Sequence, residues 1–83
     1  MGAYVYLLHC ADGTLYCGWS TDPDRRLRQH RAGTASRYTR SRLPVTLVWR
    51  REVETWSAAL REEMRIKRLT RAEKEALVQG EAP

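Results

Sequence analysis

The chain has 83 residues, of which 42% are hydrophobic, 30% charged and 8% aromatic, with a formal net charge of +5. That length bounds it to one domain with a modest core, and three Trp with four Tyr argue against a disordered chain. Two cysteines, Cys10 and Cys17, exclude a disulfide framework and a four-cysteine metal site; no apolar run reaches membrane-spanning length or forms a signal peptide, so a cytoplasmic location with no membrane partner is expected.

Ala3 to Cys10 is rich in Tyr, Val and Leu and reads as a strand, with Leu15 to Trp19 as its hairpin partner. A two-residue Asp12-Gly13 loop would put Tyr6 and Tyr16 on opposite faces. A three-residue Ala11-Asp12-Gly13 loop, with Gly13 at positive φ, pairs Cys10 with Thr14 and puts Tyr6, Leu8, Tyr16 and Gly18 on one face; this is the expected geometry. Asp22-Pro23 is a helix start, and Gly33 ends that helix after about Ala32. Arg26 and His30, four apart, share a helix face, and Leu27 is almost its only apolar anchor. Gly33 to Leu43 reads as a polar basic loop, and Val45 to Val53 as a third strand whose start Pro44 marks.

A helix opens near Thr55 or Ser57 and runs to about Leu69, with Trp56, Ala59, Leu60, Met64 and Ile66 as its expected apolar stripe. Glu63 falls in the middle of that stripe, Glu62 at its edge, and Arg61, Arg65 and Arg68 on the solvent face. Thr70-Arg71-Ala72-Glu73 is a capping box, so a further helix starts there and ends before Gly80, with frayed residues beyond. The order β-β-α-β-α-α gives an α+β fold, with a small three-stranded antiparallel sheet flanked by helices in a single domain over residues 1–83.

Thirteen of the 15 basic residues are Arg, and arginine forks suit phosphate, so the composition favours a nucleic-acid partner. Glu63 is the sharpest single signal, because a carboxylate in an apolar stripe needs a counter-charge or a cation. An ion pair with Lys67 would satisfy it; so would a hard metal such as Mg²⁺, which takes one or two carboxylates and fills the rest with water and phosphate oxygens. Tyr6 and Tyr16 are ordinary strand packing residues by type, but a phenol near Arg26 could exchange a proton with a reacting water. Arg26 could stabilise charge on a scissile phosphate, and His30 could hold the Tyr16 hydroxyl. Gly18 would let a substrate backbone approach, while Arg25, Arg37, Tyr38 and Arg40 offer guanidinium forks and a stacking ring to nucleic acid. Cys17 has no His or acid partner in sequence and is not read as a nucleophile.

These segments together resemble the GIY-YIG nuclease domain, in particular its small stand-alone bacterial members. Tyr4-Val5-Tyr6 stands at the first motif, Tyr16-Cys17-Gly18 at the second, Arg26 and His30 at the helix pair, and Glu63 at the metal-binding glutamate. The resemblance runs over roughly residues 3 to 78. It implies an α/β sandwich with a central three-stranded sheet, one divalent metal (Mg²⁺ or Mn²⁺) on Glu63, and hydrolysis of DNA phosphodiesters in repair or processing. It makes Tyr16 the general base, Arg26 the electrostatic stabiliser, and Tyr6 and His30 supporting groups. Two departures stand out: Tyr4 replaces the first motif's Gly, and the chain contains no Asn, which many members use after the glutamate. The second departure leaves a non-catalytic nucleic-acid-binding module on the same scaffold as the alternative. DNA is the expected partner, RNA a second, and the domain's usual companion DNA-binding module is absent from this sequence. Low sequence specificity, or a protein partner that supplies it, is therefore implied.

Overall fold

A computed structural model describes residues 2–80. The elements are β1 (Ala3–Cys10), β2 (Leu15–Ser20), α1 (Pro23–Arg31), α2 (Arg37–Arg40), β3 (Val45–Val53), α3 (Trp56–Lys67) and α4 (Arg71–Val78). The sheet is antiparallel with strand order β2-β1-β3, so β1 is central and β2 is an outer strand. The expected frayed end beyond Gly80 lies outside the described residues.

The hairpin has the three-residue loop. Gly13 N–H donates to the Cys10 carbonyl and Cys10 N–H to the Thr14 carbonyl, both at 2.9 Å, and Gly13 takes φ of 86°. The resulting register pairs Tyr6 with Gly18 and Leu8 with Tyr16, so these four share a face. A register shift between Leu7 and Leu8 adds one residue to β3 in its pairing with β1.

Side chains alternate across the sheet, and each face has its own core. Ala3, Val5, Leu7 and Cys17 pack with Ala59 and Ile66 of α3 and Leu77 of α4. Tyr6, Leu8, Cys10 and Val45 pack with Tyr16, Leu27, Leu43 and Leu47 on the other side. α3 is capped by Thr55, and α4 by the Thr70–Glu73 capping box.

Two expectations need correction. The Gly33–Leu43 segment is not loop throughout: Ser36 accepts from Thr39 N–H and caps the one-turn helix α2, so the order becomes β-β-α-α-β-α-α. The apolar stripe of α3 is narrower than its sequence implies. Ala59 and Ile66 are buried, whereas Trp56, Leu60 and Met64 are exposed at 58%, 37% and 50%. Trp56 lays its ring on Trp19 at 6.3 Å, at the margin of the core. Glu63 keeps its place between Ala59 and Ile66, and both it and Glu62 are half-buried against the sheet.

Candidate active site

The phenol face of the β1–β2 hairpin is roofed by α1 and α2. Asp22 accepts from Arg25 N–H and Pro23 occupies the first turn, which aims α1 so that His30 is fully buried over the hairpin. Tyr6 Oη lies 2.8 Å from His30 Nε2, and His30 Nδ1 lies 2.9 Å from Thr39 Oγ1. The rings of Tyr6 and Tyr16 both meet His30 edge-on, with centroids 5.7 and 5.4 Å away. His30 is thus bonded to Tyr6 and packed against Tyr16, whereas the sequence paired it with the Tyr16 hydroxyl. Among the described residues, the Tyr16 hydroxyl has no protein hydrogen-bond partner.

Gly18 owes its identity to Tyr6. A Cβ at Gly18 would stand 2.6 Å from Tyr6 Oη and 2.7 Å from its Cζ, so the phenol occupies the space a side chain would take. This is a packing reason for a glycine opposite an aromatic residue and needs no ligand.

Arg26 is positioned by neutral acceptors. Its Nη1 donates to Gln29 Oε1 at 3.2 Å and its Nη2 to the Ala35 carbonyl at 3.4 Å. Burial drives the Tyr6 phenol up to about 12, although the Arg26 guanidinium beside it pulls the other way. Burial and then the Arg26 charge push His30 down to about 4, so the imidazole is neutral at physiological pH. Among the described residues Arg25, Arg26, Arg28, Arg31, Arg37 and Arg40 form no ion pair. A groove of about 400 Å³ lined by Gly33, Thr34, Ala35, Ser36, Arg37 and Arg40 opens beside them. One arginine in this region is spent differently. Arg42 donates to Asp12 at 2.8 Å and lies 3.8 Å above the Tyr38 ring, which itself stacks on Tyr16 at 5.5 Å.

Glu63 lies across the outer strand from this cluster. It projects from α3, which packs on the opposite face, and its backbone carbonyl takes the Cys17 thiol at 4.0 Å. Burial, followed by the nearby Glu63 charge, pushes the Cys17 thiol up to about 12, which keeps it from being a thiolate nucleophile. The two glutamates of α3 are committed differently. Glu62 is engaged by Arg51 and Arg65 and, despite its burial, is held below the usual carboxylate range by Arg65 and Arg51. Among the described residues Glu63 has only Lys67, at 3.6 Å, which is the ion-pair alternative raised from sequence. Among the described residues there is no cluster of three metal-ligating side chains. A single half-buried carboxylate beside an outer strand fits a hard cation that draws its other ligands from water and phosphate, and Glu63 is the residue that would hold it.

The structure therefore brings Tyr6, Tyr16, Arg26, His30 and Tyr38 to one face, leaves Arg25, Arg37 and Arg40 exposed at its rim, and carries Glu63 on α3, which packs on the other face against Cys17. Sequence reasoning missed Ser36, Gln29 and Arg42. Ser36 was findable, because serine is a favoured N-cap residue and here opens the Arg37–Arg40 turn.

Comparison with known proteins bears on this arrangement. The family model described as the GIY-YIG catalytic domain matches residues 2–76. A UPF0213 protein of Halobacterium salinarum is 50% identical over 74 residues, which is 89% of this chain and 96% of the relative. A UPF0213 protein of Streptococcus sanguinis is 46% identical over 76 residues, 92% of this chain and 87% of the relative. The solution NMR structure of a UPF0213 protein from Bacillus halodurans aligns with a TM-score of 0.61 at 43% identity, covering 95% of this chain and 84% of that one. That of a protein from E. faecalis aligns with a TM-score of 0.64 at 39% identity, covering 96% and 85%.

Proposed function

We propose that this chain, which belongs to the GIY-YIG catalytic domain family, is a metal-assisted nuclease that hydrolyses DNA phosphodiester bonds with low sequence specificity, in a repair or processing role. The observation that carries this reading is Arg26. Its guanidinium is held beside the Tyr6 phenol by Gln29 and a backbone carbonyl, so its full charge is available to an incoming anion. The unpaired arginines around it extend the same attraction along a nucleic-acid backbone.

In this reading Tyr16, whose hydroxyl is free of protein partners, accepts the proton of the attacking water. Arg26 balances the charge that gathers on the phosphate. Tyr6 and His30 hold Tyr16 in place through the edge-on contacts of His30 with both phenols. Arg25, Arg37, Tyr38 and Arg40 grip the strand. Glu63 would hold Mg²⁺ or Mn²⁺, which supplies Lewis-acid stabilisation at the phosphate when bound.

Cleavage of duplex, single-stranded and branched DNA and of RNA, with and without Mg²⁺ or Mn²⁺, tests the proposal. Metal-dependent turnover is expected on DNA, with a loss of at least 10²-fold in Tyr16→Phe and Glu63→Ala, the scale of acid–base and electrostatic contributions. Equal cleavage by both variants and the parent would assign the activity to a contaminant. Salt-sensitive binding without turnover would establish the non-catalytic module, which the missing Asn favours.

A further inference from the structure

A file of hydrogen-bonding groups leads from Tyr6 out of the candidate site. Tyr6 Oη and His30 Nε2 are 2.8 Å apart, His30 Nδ1 and Thr39 Oγ1 are 2.9 Å apart, and Thr39 Oγ1 and Ser36 Oγ are 2.9 Å apart. His30 and Thr39 are fully buried and Tyr6 nearly so, while Ser36 at the outer end is only half-buried. A phenol, a neutral imidazole and two hydroxyls each carry one exchangeable hydrogen, and each can both donate and accept.

Four such groups joined by three bonds have three fully bonded arrangements; in one, Thr39 accepts from both neighbours and turns its own hydrogen to the Ser36 carbonyl at 3.4 Å, and in the other two every bond points the same way along the file. In the outward-facing one, Ser36 O–H donates to Thr39 Oγ1, Thr39 O–H to His30 Nδ1 and His30 Nε2–H to Tyr6 Oη. The Tyr6 hydrogen is then left to point into the site. In the inward-facing one, Tyr6 O–H donates to His30 Nε2, Nδ1–H to Thr39 Oγ1 and Thr39 O–H to Ser36 Oγ, leaving the Ser36 hydrogen for solvent. The two differ only in the His30 tautomer and in the direction of the hydroxyls.

We propose that Ser36, Thr39 and His30 form a proton relay that re-protonates Tyr6, and that Tyr6 supplies the proton taken by the leaving oxygen of the phosphodiester. The second half rests on the hydrolytic reading above; the relay itself does not. Starting from the outward-facing arrangement, the Tyr6 O–H bond breaks and the leaving oxygen gains that proton. Nε2 then gives its proton to Oη, Thr39 Oγ1 gives its proton to Nδ1, Ser36 Oγ gives its proton to Thr39 Oγ1, and an acid in solvent replaces the proton at Ser36. One proton leaves at Tyr6, one enters at Ser36, and the inward-facing arrangement results; rotation of the hydroxyls and exchange of the His30 tautomer reset it.

The surroundings suit this role. Tyr6, pushed up to about 12, stays loaded at neutral pH and is still a stronger acid than the alcohol it would form. His30, held down to about 4, remains neutral in both arrangements and so passes protons by changing tautomer rather than by storing charge. Gly18 gives the phenol the space that brings its oxygen to the outer strand.

The test uses the full chain with His9→Gln, which removes the other, exposed histidine, and ¹⁵N in the remaining ring. The expected signature is a pair of intermediate ¹⁵N shifts at Nδ1 and Nε2, reporting exchange between tautomers. In Thr39→Val one nitrogen should become fixed as bare and the other as protonated, and Thr39→Ser should restore exchange. A parent protein already locked in a single tautomer overturns the relay. In cleavage assays Thr39→Val should lower kcat on the order of tenfold or more at unchanged KM, with rescue by Thr39→Ser. An unchanged kcat overturns the proton-supply role of Tyr6. If Thr39→Val unfolds, Ser36→Ala cuts the relay one group earlier; it leaves Thr39 on Nδ1 and is read by kcat alone, with the same loss expected and an unchanged kcat overturning the proton-supply role. Absence of any cleavage by the parent removes the hydrolytic reading and the leaving-group role, while the ¹⁵N shifts still decide the relay.

Discussion

The two faces of the sheet are built from alternate residues of the same strands, yet they hold opposite chemistry. Against α3 and α4 lie Ala3, Val5, Leu7 and Cys17, an apolar layer closed by Ala59, Ile66 and Leu77. Against α1 and α2 lie Tyr6, Leu8 and Tyr16, and the fully buried side chains supplied by those helices are a histidine and a threonine. Both faces bury an apolar cluster, but only the second adds buried hydrogen-bonding side chains to it. On that second face each buried polar side chain has a partner, and no buried side-chain N or O is left unsatisfied among the described residues. Stability should therefore respond to the apolar clusters of both faces, and chemistry to the hydrogen-bonding groups of the second.

The largest effect expected from this division is Leu7→Ala. Removing a fully buried Leu from the apolar face should cost about 2–5 kcal/mol by chemical denaturation. Tyr16→Phe, one strand away on the other face, removes a hydroxyl with no protein partner and should shift stability by less than about 1 kcal/mol. A Tyr16→Phe loss as large as that of Leu7→Ala would show that the faces are not functionally separate.

The histidine gives the phenol face its own dependence on pH. His30 is held down to about 4 when folded, whereas an unfolded histidine titrates near 6.5. Between those values the unfolded chain binds the extra proton, so stability rises with pH across that window. Its contribution is fully present above about 6.5 and fades as pH falls toward 4, by on the order of 3 kcal/mol. Denaturation midpoints at pH 7.5, 5.5 and 4.5 should show this slope, and His30→Gln should flatten it. An unchanged slope would mean that acidic groups elsewhere set the acid limit.

Gly18→Ala attacks the same face through packing. The new Cβ would fall 2.6 Å from Tyr6 Oη, too close for either group to remain. An overpacking cost of about 1–3 kcal/mol is expected, with loss of the Tyr6–His30 bond visible as a changed His30 ring signal. A stable variant with an unchanged ring signal would show that the phenol tilts away freely.

How much of this was legible depended on whether the signal was local. The strands, the three-residue turn at Gly13 and the Asp22-Pro23 and Thr70–Glu73 caps each depend on a few adjacent residues, and the structure has them. The facing of α3 was not local. Ala59 and Ile66 define one stripe, Trp56, Leu60 and Met64 a second, and only the sheet decides which is covered. For the site, the face shared by Tyr6 and Tyr16 followed from hairpin register, and the shared face of Arg26 and His30 from helical spacing. The bond from His30 to Tyr6 rather than to Tyr16 did not follow, because it depends on how α1 crosses the hairpin. The capture of Glu62 by Arg51 joins residues of β3 and α3 and has no periodic signature.

The smallest predicted effect separates the arginines of the two faces. Arg37 and Arg40 line the groove beside the phenol cluster, whereas Arg61 and Arg68 stand on the outer side of α3. None of the four has an ion-pair partner among the described residues, so charge alone does not rank them. Position does, because a nucleic-acid backbone drawn to Arg26 must pass α2, whereas Arg61 and Arg68 stand on the side of α3 turned away from Glu63 and the sheet. Each lost phosphate contact lowers the slope of log affinity against log salt by about 0.9, so Arg37→Ala with Arg40→Ala should lower it by about 1.8 on duplex DNA. Arg61→Ala with Arg68→Ala should leave it unchanged. Equal reductions would mean that DNA is held by net charge over the whole surface, and the phenol face would lose its claim to be where the strand lies.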